Sequence, residues 1–204
     1  MFAENLQELA AGWLAKDETW FDRSRKRTRL MSFENPDQTT GGASGGGKGG
    51  GKRRRERQMN DVQRQAMGLA SEWLAFQFLR RRHSEFADET CWISKNRSQF
   101  FGGDEGNDAA GYDFLVKTTQ AEWLYEVKSS LEDSGEFELT ANELRVASSA
   151  SKDGRRRYRI LYVPYVFSPG KWYVLELPNP MGEATRNRFT MIGRGSVRLR
   201  FERR

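Results

Sequence analysis

The chain has 204 residues with 34 Lys and Arg, 28 Asp and Glu and a net charge of +6, which allows one domain with a core plus tails. The arginine excess predicts a polyanionic partner, although a solvated basic tail would give the same net charge. A single cysteine excludes an intramolecular disulfide, and without a long apolar run or a signal-peptide pattern the chain is predicted to be cytoplasmic and not to cross a membrane.

Residues 1–33 are predicted to form an amphipathic helical docking segment. Apolar residues recur at three- and four-residue spacing from Phe2 to Leu14, and Trp20 and Phe21 extend the apolar surface. Because so short a helix is marginal alone, its stripe should be buried against the main domain, a partner protein or a second copy of the chain. We expect a docking element outside the catalytic core.

Residues 34–58 are predicted to be a flexible, glycine-rich and basic linker. Lys48 lies in a glycine run that resembles a phosphate-binding loop. That interpretation is excluded because no apolar strand precedes the run and no helix beginning with Ser or Thr follows it. The basic run at residues 52–55 is either a solvated charge run or a non-specific phosphate contact, and both interpretations stay open.

Residues 59–204 are predicted to form one domain that begins with a helix over residues 59–82, capped by Asn60 or Asp61. Glu72 lies among bulky apolar residues of this helix. It is either an exposed helix glutamate or a functional group that faces a site.

The next stretch contains the only histidine and the only cysteine of the chain. His83 has no partner for a zinc site and is expected at the surface. Cys91 is expected to be a small core residue within a short strand over residues 90–95. The acidic loop over residues 100–110 lacks the spacing of a calcium-binding EF-hand loop.

The domain is organised around a β-hairpin, predicted from two aromatic and β-branched runs at residues 112–116 and 123–127. Asp113 opens the first strand, and Glu126 and Lys128 close the second. Residues two apart in a strand project to one face, and an antiparallel partner can bring Asp113 beside them. Two carboxylates and an ammonium among apolar residues are costly unless paired, and Mg²⁺ prefers carboxylate oxygens.

Asp113 followed by Glu126-Val127-Lys128 resembles the motif of the PD-(D/E)xK nuclease superfamily, with Tyr112 where the nominal motif has proline. Three stretches make the resemblance more specific: the sequence around Asp113, the run Glu126-Val127-Lys128-Ser129-Ser130 and the pattern FELTANEL at residues 137–144. Together they resemble the NO VEIN C-terminal domain family, which also occurs in bacterial anti-phage and restriction proteins. The resemblance covers residues 60–180.

The resemblance implies a metal-dependent nuclease that hydrolyses phosphodiester bonds in DNA, as a defence or restriction effector subunit or fragment. Asp113 and Glu126, with the Val127 carbonyl, would bind Mg²⁺, for which Mn²⁺ can substitute. Lys128 would orient or activate the attacking water and stabilise charge on the phosphate. Glu72 would complete a second metal site or position water. The alternative is an inactive nuclease-fold module that binds nucleic acid or a partner protein.

The remaining elements complete an α/β fold with a restriction-endonuclease-like core, in which helices flank a mixed sheet of about four to five strands. Thr140 and Glu143 form a capping box for a helix that follows the run at residues 137–139, and further strands are predicted at 158–167 and 172–177. A last hairpin is predicted at residues 189–192 and 196–201. The arginines expected to contact the nucleic-acid backbone are Arg155, Arg156, Arg157, Arg198 and Arg200.

Overall fold

The computed structural model describes Gly12 and residues 19–30, 59–192 and 197–201. Two sheets and their helices form an α/β fold, which confirms the predicted class. The larger sheet has four strands in the order β1-β2-β4-β5: β1 Phe114–Lys117, β2 Glu122–Ser129, β4 Arg156–Val163 and β5 Leu175–Leu177. The smaller sheet has the order β3-β7-β6: β3 Glu136–Leu139, β6 Phe189–Ile192 and β7 Val197–Phe201.

The larger sheet is mixed, as predicted. Strands β1 and β2 form the predicted antiparallel hairpin, with Phe114 opposite Tyr125. Strands β2 and β4 are parallel, with Glu126 opposite Ile160, and β5 returns antiparallel to β4. A parallel pair needs a crossover, which here consists of β3 and the helix that follows it.

The described helices are α1 Trp20–Leu30, α2 Asp61–Arg82, α3 Ser98–Phe101 and α4 Ala141–Ser151. Helix α2 packs on the sheet face that carries Tyr125 and Val127, and α4 packs on the opposite face, beside Leu124. The cap of α2 is Asn60, one of the two predicted residues, in a capping box with Gln63. None of the helices among the described residues could cross a bilayer.

Helix α1 belongs to the core, which corrects the predicted boundary that placed residues 1–33 outside it. Trp20 is 1% exposed and its ring lies 5.2 Å from that of Trp172. The Ser24 hydroxyl accepts a hydrogen bond from the Val174 N–H at 3.0 Å, and that of Thr28 accepts one from the Glu176 N–H at 3.3 Å. The two hydroxyls accept hydrogen bonds from backbone N–H groups at the outer edge of β5 and at the residue before it. Without these bonds the N–H groups would be buried and unpaired, which costs free energy.

The predicted stripe at residues 2–14 and the linker at residues 34–58 lie outside the described residues, except for Gly12. The connection of the last hairpin, residues 193–196, also lies outside them. Both strands of that hairpin are present and antiparallel, as predicted.

Two local predictions are corrected. Residues 90–95 do not form a strand but two short 3₁₀ turns with a single antiparallel bridge from Trp92 to Phe114, because Asp88 caps the first turn. The run at residues 137–139 forms most of β3, because β7 supplies a strand partner, and the helix follows it after Thr140 as predicted. His83 is half-buried, with Nε2 2.7 Å from the Tyr125 hydroxyl. Cys91 is buried as expected.

Candidate active site

The hairpin register places Asp113 beside Glu126. The Asp113 N–H donates to the Tyr125 carbonyl at 2.8 Å, which extends the β1–β2 ladder by one residue and sets Asp113 opposite Glu126. Opposite residues of an antiparallel pair project to the same face. The Asp113 carboxylate then accepts a hydrogen bond from the Val127 N–H at 2.7 Å, so the backbone of β2 fixes its position.

Lys128 lies two residues beyond Glu126 on the same face of β2. Its Nζ is 2.7 Å from Glu126 Oε1 and 2.8 Å from Glu143 Oε2. Glu143 is in the first turn of α4, where it forms the predicted capping box with Thr140. The ammonium is therefore held between a strand carboxylate and a helix carboxylate.

The pairing of Glu143 with Lys128 was not predicted from the sequence. The capping box by itself accounts for a glutamate at this position, so the local sequence carries no separate signal for an ion pair. The available signal was the position of Glu143 within the pattern at residues 137–144, which carried part of the family resemblance.

Glu72 is 7% exposed, so the exposed-helix interpretation is excluded. Its Oε2 accepts hydrogen bonds from Trp92 Nε1 at 2.8 Å and from the Ser94 hydroxyl, and its Oε1 accepts one from Asn96 Nδ2 at 2.6 Å. The three donors come from alternate positions of one segment. They hold a buried carboxylate that would otherwise be costly.

The site holds more buried negative charge than its one lysine neutralises. Burial raises the pKa of Glu72 to about 7, despite its three hydrogen bonds. Burial and the Glu72 carboxylate raise the pKa of Asp113, and burial and Asp113 raise that of Glu126. Burial alone would lower the pKa of Lys128, but the carboxylates of Glu126 and Glu143 raise it above its ordinary value. Lys128 is therefore a fixed cation at neutral pH.

The donor chemistry suits a hard divalent cation, because the carboxylates of Glu72, Asp113 and Glu126 are buried and mutually repelling. Their present partners are protein groups: Lys128 at Glu126, the Val127 N–H at Asp113 and the three donors at Glu72. Among the described residues, no three acidic, histidine or cysteine side chains form a group that could hold a metal ion. Metal binding would therefore require some of these bonds to be exchanged.

The structure brings Asp113, Glu126 and Lys128 together and places Glu72 within their electrostatic influence, whereas Arg156 and Arg157 lie opposite the start of β2. Arg156 is opposite Glu122, six residues before Lys128, or about 20 Å along β2 at ~3.3 Å per residue. On β7, Arg198 and Arg200 form ion pairs with Glu138 and Glu136 of β3, and a phosphate would have to compete with these carboxylates.

Comparison with known proteins identifies a family. The family model described as protein NO VEIN, C-terminal, matches residues 72–175, just over half of the chain. The matched range begins at Glu72 and contains Asp113, Glu126, Lys128 and Glu143. No curated protein and no solved structure matches the chain.

Proposed function

The chain belongs to the NO VEIN C-terminal family, and from this premise we propose that it is a metal-dependent nuclease of the PD-(D/E)xK type that hydrolyses phosphodiester bonds in DNA. The observation that carries the proposal is the arrangement of the three motif side chains. Asp113, Glu126 and Lys128 lie together, and the backbone of Val127 holds the first of them at 2.7 Å. If the motif occurred in the sequence only by chance, its three side chains would not be expected to lie together in the folded chain.

Asp113 and Glu126, with the Val127 carbonyl, would hold Mg²⁺ or Mn²⁺. When bound, the ion would lower the pKa of water and offset negative charge on the phosphate. Lys128 would act as a fixed cation that orients the water and stabilises charge on the phosphate. Its raised pKa argues against a role as general base, since a base must first be deprotonated.

Two further carboxylates have supporting roles in this proposal. Glu72, with a pKa near 7 and three donors to fix it, would help hold a second metal ion or would accept a proton from water at neutral pH. Glu143 would be a positioning residue, because it contacts Lys128 rather than the motif carboxylates. Its ion pair would hold the Lys128 ammonium in place if Glu126 bound a metal ion.

The proposed setting is a defence or restriction effector subunit that takes its targeting from a partner protein. The second candidate function is an inactive nuclease-fold module that binds nucleic acid or a protein. One observation favours it: Lys128 contacts Glu126 directly, and among the described residues no group of three ligands is assembled for a metal ion.

Incubation of the full chain with supercoiled plasmid separates the two functions. A nuclease should nick or linearise the plasmid with Mg²⁺ or Mn²⁺ and should stop when EDTA is added. Plasmid binding without cleavage in either metal would favour the inactive module and would contradict the proposed activity.

A further inference from the structure

A concave site that Asp113, Glu126 and Lys128 do not line lies along the first half of β4, which pairs with the first half of β2. It is a cavity of about 640 Å³, within the range of about 300–1,000 Å³ that small-molecule sites occupy. Helix α4 runs from one site to the other, because Glu143 in its first turn contacts Lys128 and Ser151 at its end lines the cavity. The four arginines of the lining are Arg82, Arg156, Arg157 and Arg159.

The cavity exists because β5 is shorter than β4. Strand β5 pairs only with residues 160–162, so the preceding part of β4 has no strand on that side among the described residues. The segment after β5 forms the outer wall instead. Asn179 Nδ2 donates to the Ala147 carbonyl of α4 at 2.7 Å, and the Thr185 hydroxyl donates to the Asn179 carbonyl at 2.5 Å. The wall is thus fixed by its own bonds, which lowers the cost of ordering it around a ligand.

The arginines of the cavity are held loosely by protein carboxylates. The shortest separations are 3.2 Å for Arg82 to Glu176, 3.4 Å for Arg156 to Glu122 and 3.7 Å for Arg159 to Glu176. Strong charge-assisted pairs have separations of about 2.7–2.9 Å, as both pairs of Lys128 do.

Arg157 has no carboxylate partner within the described part of the chain. Its Nη1 donates to the Arg156 carbonyl at 3.0 Å. Within the described residues, the cavity therefore contains one guanidinium without a carboxylate partner and three guanidiniums whose remaining N–H groups can donate to a ligand.

We propose that this cavity binds a small ligand that carries a phosphate group, such as a nucleotide. Guanidinium forks match phosphate oxygens in bidentate geometry. Trp123, whose ring lies 5.4 Å from the Arg159 guanidinium, adds an aromatic surface to the lining. A ligand that fits the cavity suits this geometry better than the strand to be cut, because Asp113, Glu126 and Lys128 are not among the residues that line the cavity. The proposal does not depend on nuclease activity.

The test is a calorimetric titration of the full chain with ADP and with pyrophosphate, without divalent metal. Arg157→Gln should weaken binding by about tenfold or more, since a charge-assisted hydrogen bond is lost. Arg145→Gln is the matched control: it removes the same charge from an exposed position of α4 that does not line the cavity, and it should change the affinity by less than about twofold.

Nuclear magnetic resonance of the wild-type chain makes the test independent of how the variants fold. Either probe should shift the Trp123 indole and Thr185 signals and leave those of Glu126 and Lys128 unchanged. Absence of binding by both probes would overturn the proposal, as would equal weakening in the two variants. So would Arg157-dependent binding of a DNA oligonucleotide when neither small probe binds, because the cavity would then be part of a nucleic-acid surface.

Discussion

Replacement of Glu143 by glutamine should lower the pKa of Lys128 without unfolding α4. Glutamine at this position can keep the capping box with Thr140, so the variant removes the charge and little else. The Lys128 and Glu143 side chains are 18% and 13% exposed, so solvent screens their 2.8 Å bond only weakly. A charge-assisted hydrogen bond of this kind contributes roughly 1.5–3 kcal/mol, which corresponds to a fall of about one to two pH units in the pKa of Lys128.

The assay is a pH titration of the Lys128 side-chain resonances in the metal-free protein, paired with thermal unfolding. Glu138→Gln is the matched control, because Glu138 is an exposed glutamate of β3 whose ion pair is with Arg198. It should leave the pKa of Lys128 unchanged. Glu143→Ala should cost about 1 kcal/mol more stability than the glutamine variant, since it also removes half of the cap. An unaltered Lys128 pKa in Glu143→Gln would refute the positioning role.

Two further predictions concern stability. The pKa of Glu72 is raised from 4.5 to about 7, so the folded protein binds a proton that the unfolded chain releases, and the Glu72 contribution to metal-free stability should fall by on the order of 3 kcal/mol as pH rises from about 4.5 to 7. Glu72→Gln should flatten that dependence in denaturant unfolding, and an equally steep profile in the variant would contradict the assignment. Trp20→Ala should cost about 3–5 kcal/mol because the ring is buried beside Trp172, whereas Arg25→Ala on the exposed side of α1 should change stability by less than about 1 kcal/mol. Unchanged unfolding of Trp20→Ala would place α1 outside the core, as the sequence predicted.

The sequence predicted the hairpin well because its signals are local. Aromatic and β-branched runs on either side of a polar connection are enough to align Asp113 with Glu126 and Lys128, since side-chain direction in a strand has period two. The caps at Asn60 and Thr140 were also found, because each depends on residues only three apart.

Long-range contacts were missed because their residues carry no separate local signal. Ser24 and Thr28 in α1 bind the backbone of β5 about 150 residues away, and the apolar stripe near them predicted only that the segment docks somewhere. The alternate donors Trp92, Ser94 and Asn96 have strand-like spacing, but they converge on Glu72 from a turn. Tertiary contacts decided the structure in both places.

The measurement that tests the proposed nuclease most directly is single-turnover cleavage of plasmid with Mg²⁺ by the wild-type chain, Glu126→Gln and Glu122→Gln. Both glutamates lie on β2 and share a face, but only Glu126 contacts Lys128, while Glu122 pairs with Arg156. We predict metal-dependent cleavage that Glu126→Gln slows by about a hundredfold or more and Glu122→Gln leaves within about threefold. Cleavage that survives Glu126→Gln at the wild-type rate, or wild-type protein that binds plasmid and never cuts it, would contradict the proposal.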